Sequence, residues 1–169
     1  MSNFKMGLSE NDVKKSWTSW NAFKKECGNS YIYVRRTSSV FDEHYYHTHI
    51  TIEEGQITKA YKTKHNYDFS AFDKFEAKLK GETSVEKEDK EENHSVEKIP
   101  LTDKEMSLLK TLDEIYDFVK KLPKVSAQKN YISFRIDNRG LITCAGYAPK
   151  GCTDDCFRGY SISSITSLK

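Results

Sequence analysis

The residues best suited to chemistry lie in one stretch, Asp42-Glu43-His44-Tyr45-Tyr46-His47-Thr48-His49-Ile50-Thr51-Ile52. In a strand, residues two apart share a face, so His47 and His49 should project together with Tyr45, Thr51 and Glu53, leaving Ile50 and Ile52 for the core. Two imidazoles at this spacing suit zinc or copper, with His44 or Glu43 expected to bend in from the strand start as a third ligand. The competing reading is a pair of histidines on an exposed sheet face.

The cysteines are the second chemical signal. Cys144, Cys152 and Cys156 crowd together near the C-terminus, and Cys27 stands far upstream. Their spacing contains no Cys-x-x-Cys knuckle, which argues against a structural zinc site. An even count suits two disulfides: one among the three clustered cysteines, and one from Cys27 tying the first helix to the final sheet. Reduced thiols in a cytosolic core are the alternative. Asp154 and Asp155 have too few flanking oxygen donors for calcium and are expected to cap a turn or pair with Arg158 or Lys150. No serine occupies a Gly-x-Ser-x-Gly elbow, and no glycine-rich loop offers a phosphate cradle. The catalytic assignment is therefore none.

Composition narrows the partners. The formal net charge is only +2, so no strong field favours nucleic acid or an acidic membrane. No run of about 18 apolar residues is present to span a bilayer. Met1 to Glu10 carries no apolar signal-peptide core, which keeps a cytoplasmic location open. At 169 residues the chain fits a single domain.

Around these residues the chain spells out its elements. Ser9 can cap a helix in which Val13, Trp17, Trp20, Phe23 and Cys27 make one apolar stripe, ended by Gly28-Asn29. Paired tryptophans could stack a sugar, but at this spacing they read as the core face of an amphipathic helix. Strands follow over Ser30–Val40, Tyr45–Glu53 and Gln56–Lys64, with a tight turn at Glu54-Gly55. A short helix is expected from Ser70 to Gly81. The run Glu82 to Ile99 has no apolar face and reads as a charged, mobile insertion. Two capping boxes, Thr102 with Glu105 and Thr111 with Glu114, introduce a helix whose stripe is Leu108, Leu112, Ile115, Val119 and Leu122, stopped by Pro123. Three strands from Tyr131 onward close the chain. The result is an α+β domain with helices on one face of an antiparallel sheet, in the order helix-βββ-insertion-helix-βββ. The stretch Thr51 to Tyr61 echoes Arg135 to Ala145, which suggests an internal duplication.

These residues carry a likeness. Trp17 and Trp20 lead into Ser30-Tyr31-Ile32-Tyr33-Val34-Arg35-Arg36, the hairpin Ile52-Glu53-Glu54-Gly55 and the helix Leu112-Asp113-Glu114-Ile115-Tyr116. The chain closes on Cys144-Ala145-Gly146-Tyr147, Cys152, Asp154-Asp155-Cys156 and Gly159-Tyr160-Ser161-Ile162. In this order they resemble the small secreted or lipid-anchored domains of the family DUF6174, in its cysteine-bearing animal form. The resemblance implies an α+β domain with an extracellular habit and brings no catalytic residues. The expectation is a non-catalytic extracellular binding or matrix-associated protein. A metal-binding protein or metal-dependent enzyme built on His47 and His49 is the first alternative. A carrier of a small hydrophobic ligand is the second.

Overall fold

The first helix, α1 (Glu10–Glu26), starts where the Ser9 hydroxyl accepts the Asn11 N–H at 3.2 Å, pairing a donor that has no intrahelical partner. It ends at Cys27, followed by Gly28 and Asn29, both with positive φ. The computed structural model of the chain describes residues 7–39, 43–67 and 96–169. The helix expected from Ser70 to Gly81 lies outside them, as does most of the charged run.

Strands β1 (Tyr31–Ser38), β2 (His44–Glu53) and β3 (Gln56–Asn66) follow as a meander. Glu54 and Gly55 turn the second hairpin with φ of 51° and 82°, the double positive φ of a two-residue hairpin loop. Strand β4 is the short Lys98–Pro100, and the helices α2 (Asp103–Ser107) and α3 (Leu112–Val119) come next. Strands β5 (Asn130–Ile136), β6 (Ile142–Pro149) and β7 (Arg158–Ser167) complete the chain. The seven strands form one antiparallel sheet in the order β4-β3-β2-β1-β7-β6-β5. The fold is α+β.

Alternation decides which face is buried. Tyr31, Tyr33, Ile50, Ile52, Ile162 and Ile165 turn to one side and meet Val13 and Trp20 of α1 and Leu112, Ile115, Tyr116 and Val119 of α3. Tyr31 touches both helices. The Trp20 ring stands edge-on to it at 5.0 Å, and its hydroxyl accepts the Leu112 N–H at 3.0 Å, serving an orphan donor at the start of α3. Asp113 ties the helices together, taking the Trp20 indole N–H at 2.8 Å and the Lys24 ammonium at 2.6 Å. Ser16 and Tyr116 exchange a hydrogen bond at 2.8 Å, and Ser16 also donates to the Gly140 carbonyl at 2.7 Å. The tryptophans of α1 thus belong to packing: Trp20 is fully buried and Trp17 lies against Tyr116.

Four expectations need correction. The single helix expected over the two capping boxes is two helices, because both boxes form and the second restarts the chain at Thr111. Leu108 falls in the break and is 63 % exposed, so it leaves the core stripe. The charged run does not stay free to Ile99, since Lys98–Pro100 pairs with β3. The second disulfide does not form. Cys152 bonds to Cys156, while Cys27 and Cys144 are buried free thiols. Cys27 sits in the helix layer, whereas Cys144 points to the opposite face of the sheet beside Arg135 and Ser161, so the sheet separates them. The echoed segments prove to be hairpins β2–β3 and β5–β6, which hold different places in the two three-strand sets.

Candidate functional site: the helix-free face of the sheet

The face opposite the helices carries the chemistry. His47 and His49 stand there together, as their spacing predicts, because Ile50 and Ile52 on the alternate set are fully buried. His44 does not join them. It pairs with Asn66 and shares the parity of Ile50, so it belongs to the helix side, and Glu43 precedes the strand. The third imidazole is instead His65 of β3. It pairs with Tyr45, lies diagonal to His47 with ring centroids 4.5 Å apart, and stacks on Tyr45 at 5.1 Å. The Glu54-Gly55 turn alone would set His65 opposite His44, but the bulge between Thr51 and Ile52 shifts it opposite Tyr45 and so onto the face of His47.

Hydroxyls hold the rings. Thr63 Oγ1 lies 3.2 Å from His49 Nε2 and 2.8 Å from His65 Nε2. A hydroxyl has one proton, so if it donates to one imidazole it must accept from the other, which pairs unlike tautomers across β3. Ser163 reaches His47 Nε2 at 3.3 Å. It can do so because Val34 pairs with Ser164 and Arg35 with Ile162, leaving Ser163 as the extra residue of a β-bulge. Among the described residues, no three His, Cys, Asp or Glu side chains are placed to hold one metal ion.

Register sets these groups in a line. Lys98 pairs with Thr63, Thr63 with His47 and His47 with Arg36. Arg36 follows Arg35, which pairs with Ile162, and therefore stands level with Ser161. Ser161 pairs with Cys144 and Cys144 with Arg135. One row thus crosses all seven strands and contains three fixed cations and no carboxylate. Aromatic rings support two of the cations: the Arg36 guanidinium lies 4.2 Å from the Tyr45 centroid and the Lys98 ammonium 4.8 Å from that of Tyr61.

Burial is the main cause holding His47 and His49 below the ordinary imidazole range, followed by the charge of His65. His49 and Arg36 add to the effect at His47, and Lys98 adds to it at His49. The unfolded chain therefore takes up protons here before the folded one does. Stability should fall as pH drops from about 7 to 5, because the unfolded state binds more protons in that window. Thermal melts across this range test the point. The variant carrying His47→Gln and His49→Gln should show a shallower loss, and an unchanged slope would remove these rings as the cause.

The Cys152–Cys156 loop covers the other end of the row. It places Asp155 where its carboxylate accepts the Ser39 hydroxyl at 2.5 Å, beyond the end of β1. Between loop and sheet runs a groove of about 580 Å³ bordered by Arg36, Arg135, Cys144 and Phe157. On the helix side, a smaller cleft of about 300 Å³ lies between Val13, Trp17, Lys120 and Pro123. No family model, no curated protein and no solved structure matches the chain.

Proposed function

We propose that the chain is a non-catalytic extracellular binding module that receives its ligand on the helix-free face of the sheet. One observation carries the reading: the row from Lys98 through His47 and Arg36 to Arg135 crosses seven strands on a face that no described helix covers. A sheet that only needed solubility could scatter its charges, whereas this one lines three cations, one imidazole and two hydroxyls at one level. The Cys152–Cys156 disulfide supports the extracellular part, and a cytosolic home for the native protein would sink it.

A second reading uses the imidazoles. His47, His49 and His65 gather around Thr63, and modest ring rotations would bring two of them onto one zinc or copper ion. The third reading, a hydrophobic-ligand carrier, would use the cleft beside Trp17.

One experiment separates the three. Amide chemical shifts of the labelled chain are followed during titration with a fragment library and, separately, with zinc chloride. Perturbations gathered on the bare face of β1, β2, β6 and β7 support the module. Fragments gathering beside Val13 and Trp17 would overturn it in favour of the carrier. Stoichiometric zinc shifts at His47, His49 and His65 that vanish in His65→Ala would favour the metal reading.

A further inference from the structure

We propose that the groove under the Cys152–Cys156 loop binds a small organic phosphate or sulfate ester, its oxyanion held by Arg36 and Arg135. The proposal rests on the reading of the bare face as a binding surface and adds the chemical class of the ligand. The groove's volume of about 580 Å³ falls within the range of small-molecule sites. Its floor is narrow-chained, with Ser133, Gly159, Cys144 and Ser161, so a ligand can approach the sheet closely.

Arg36 and Arg135 border that floor from the two strands on either side of it. Arg36 and Arg135 stand at one level with only Ser161 and Cys144 between them, three strand spacings or about 14 Å from backbone to backbone. Their side chains can therefore serve one ligand lying along the row. Among the described residues, neither guanidinium pairs with a carboxylate. Arg36 borders the groove while its guanidinium carbon lies 4.2 Å from the ring centroid of Tyr45 on the neighbouring β2. Phosphate and sulfate oxygens match the guanidinium fork, with Ser133 and Ser161 as further donors. Phe157 on the loop is 44 % exposed and lines the same groove, offering a ring to the organic part of an ester.

Two charges oppose an anion here, Asp154 and Asp155, both on the loop. The Asp155 carboxylate is engaged by Ser39, and Asp154 faces solvent at the groove wall. The oxyanion must then lie on the floor side, toward the arginines. Neutralising Asp154 should strengthen binding, which a merely structural role for the loop would not produce.

Calorimetric titration of the full chain at fixed ionic strength with inorganic phosphate, inorganic sulfate, phenyl phosphate, phenyl sulfate and phenol tests the assignment. The phenyl esters should bind roughly three- to ten-fold more tightly than the inorganic ions, as one ring contact allows. Phe157→Ala should erase that margin and leave inorganic phosphate binding in place. Arg36→Gln and Arg135→Gln should each weaken ester binding by about ten-fold or more, with Arg135→Lys intermediate because it keeps charge and loses the fork. Asp154→Asn should strengthen binding roughly two- to five-fold. Unchanged melting temperatures would show that the variants fold. If phenol binds in the groove as well as phenyl phosphate, the anion assignment fails and the binding-face reading stands. If neither esters nor fragments touch this face, both fail. Binding confined to a long sulfated polysaccharide would overturn the small-ligand class, and ester binding unaffected by Arg135→Gln would overturn the site.

Discussion

Trp20→Ala should lower the melting temperature by roughly 6–20 °C, the shift expected when about 3–5 kcal/mol is lost from a domain of this size. Trp20 has no exposed surface and sits where three elements meet. Its ring stands edge-on to Tyr31 of β1 at 5.0 Å and stacks with Tyr116 of α3 at 6.0 Å. Its indole N–H donates to Asp113, which also binds Lys24. Alanine would leave a cavity between helices and sheet, and Tyr31 and Tyr116 cannot close it, because the hydroxyl of each is already anchored, to Leu112 and to Ser16. Trp20→Phe should recover most of the loss, since ring burial is the larger contribution and the indole hydrogen bond ends at a partly exposed carboxylate. Calorimetric melting of both variants decides the matter. A shift of less than about 3 °C for alanine would mean that the aromatic cluster does not hold the helices to the sheet.

Much of this cluster is legible in the sequence, and the reason is periodicity. The stripe Val13-Trp17-Trp20 and the alternation around Ile50 and Ile52 each set a face by local geometry alone, and both faces are buried as that geometry requires. His47 and His49 follow from the same alternation. What stayed hidden depends on pairing between distant segments. His65 enters the imidazole group only because a bulge shifts the β2–β3 register by one residue, and Ser163 only through a bulge between β1 and β7. The seven-strand row needs β1 to lie beside β7, a neighbour about 130 residues away along the chain that no short-range pattern announces. His44 is near His47 in sequence but has the parity of Ile50, and that parity keeps it from serving as the third ligand. A bridge from Cys27 to the final sheet fails because Cys144, the thiol left free there, lies on the opposite face of the sheet. Leu108 shows a different limit: it fits the apolar stripe, yet the Thr111–Glu114 box beyond it restarts the helix and leaves it in solvent.

Gly146→Ala should open the groove and destabilise the β6–β7 ladder by about 1–3 kcal/mol, the usual cost of overpacking. A methyl group at this position would lie 2.5 Å from the Arg158 carbonyl oxygen, 2.6 Å from Phe157 Cζ and 2.8 Å from Gly159 Cα. Two of those neighbours are backbone atoms of β7, so the strands must spread. The third is the ring by which the disulfide loop rests on the sheet, so the loop must lift as well. Gly146 and Gly159 face each other across the ladder, and this small-residue pair lets the loop descend far enough to roof Cys144. The thiol reports on that roof. Cys144 is 6 % exposed and Cys27 1 %, so in the native wild-type chain both should react slowly with iodoacetamide. In Gly146→Ala, Cys144 should alkylate several times faster while Cys27, in the helix layer, keeps its rate. Ser133→Ala, which pairs with Gly146 and adds no atoms, should leave both rates unchanged. Faster labelling of both thiols together would point to global loosening, and no change at Cys144 would show that the loop does not depend on the glycine pair. Read beside hydrogen exchange of the β6 and β7 amides, the two rates separate a lifted loop from a spread ladder, because only the second exposes backbone N–H groups that the strands now share.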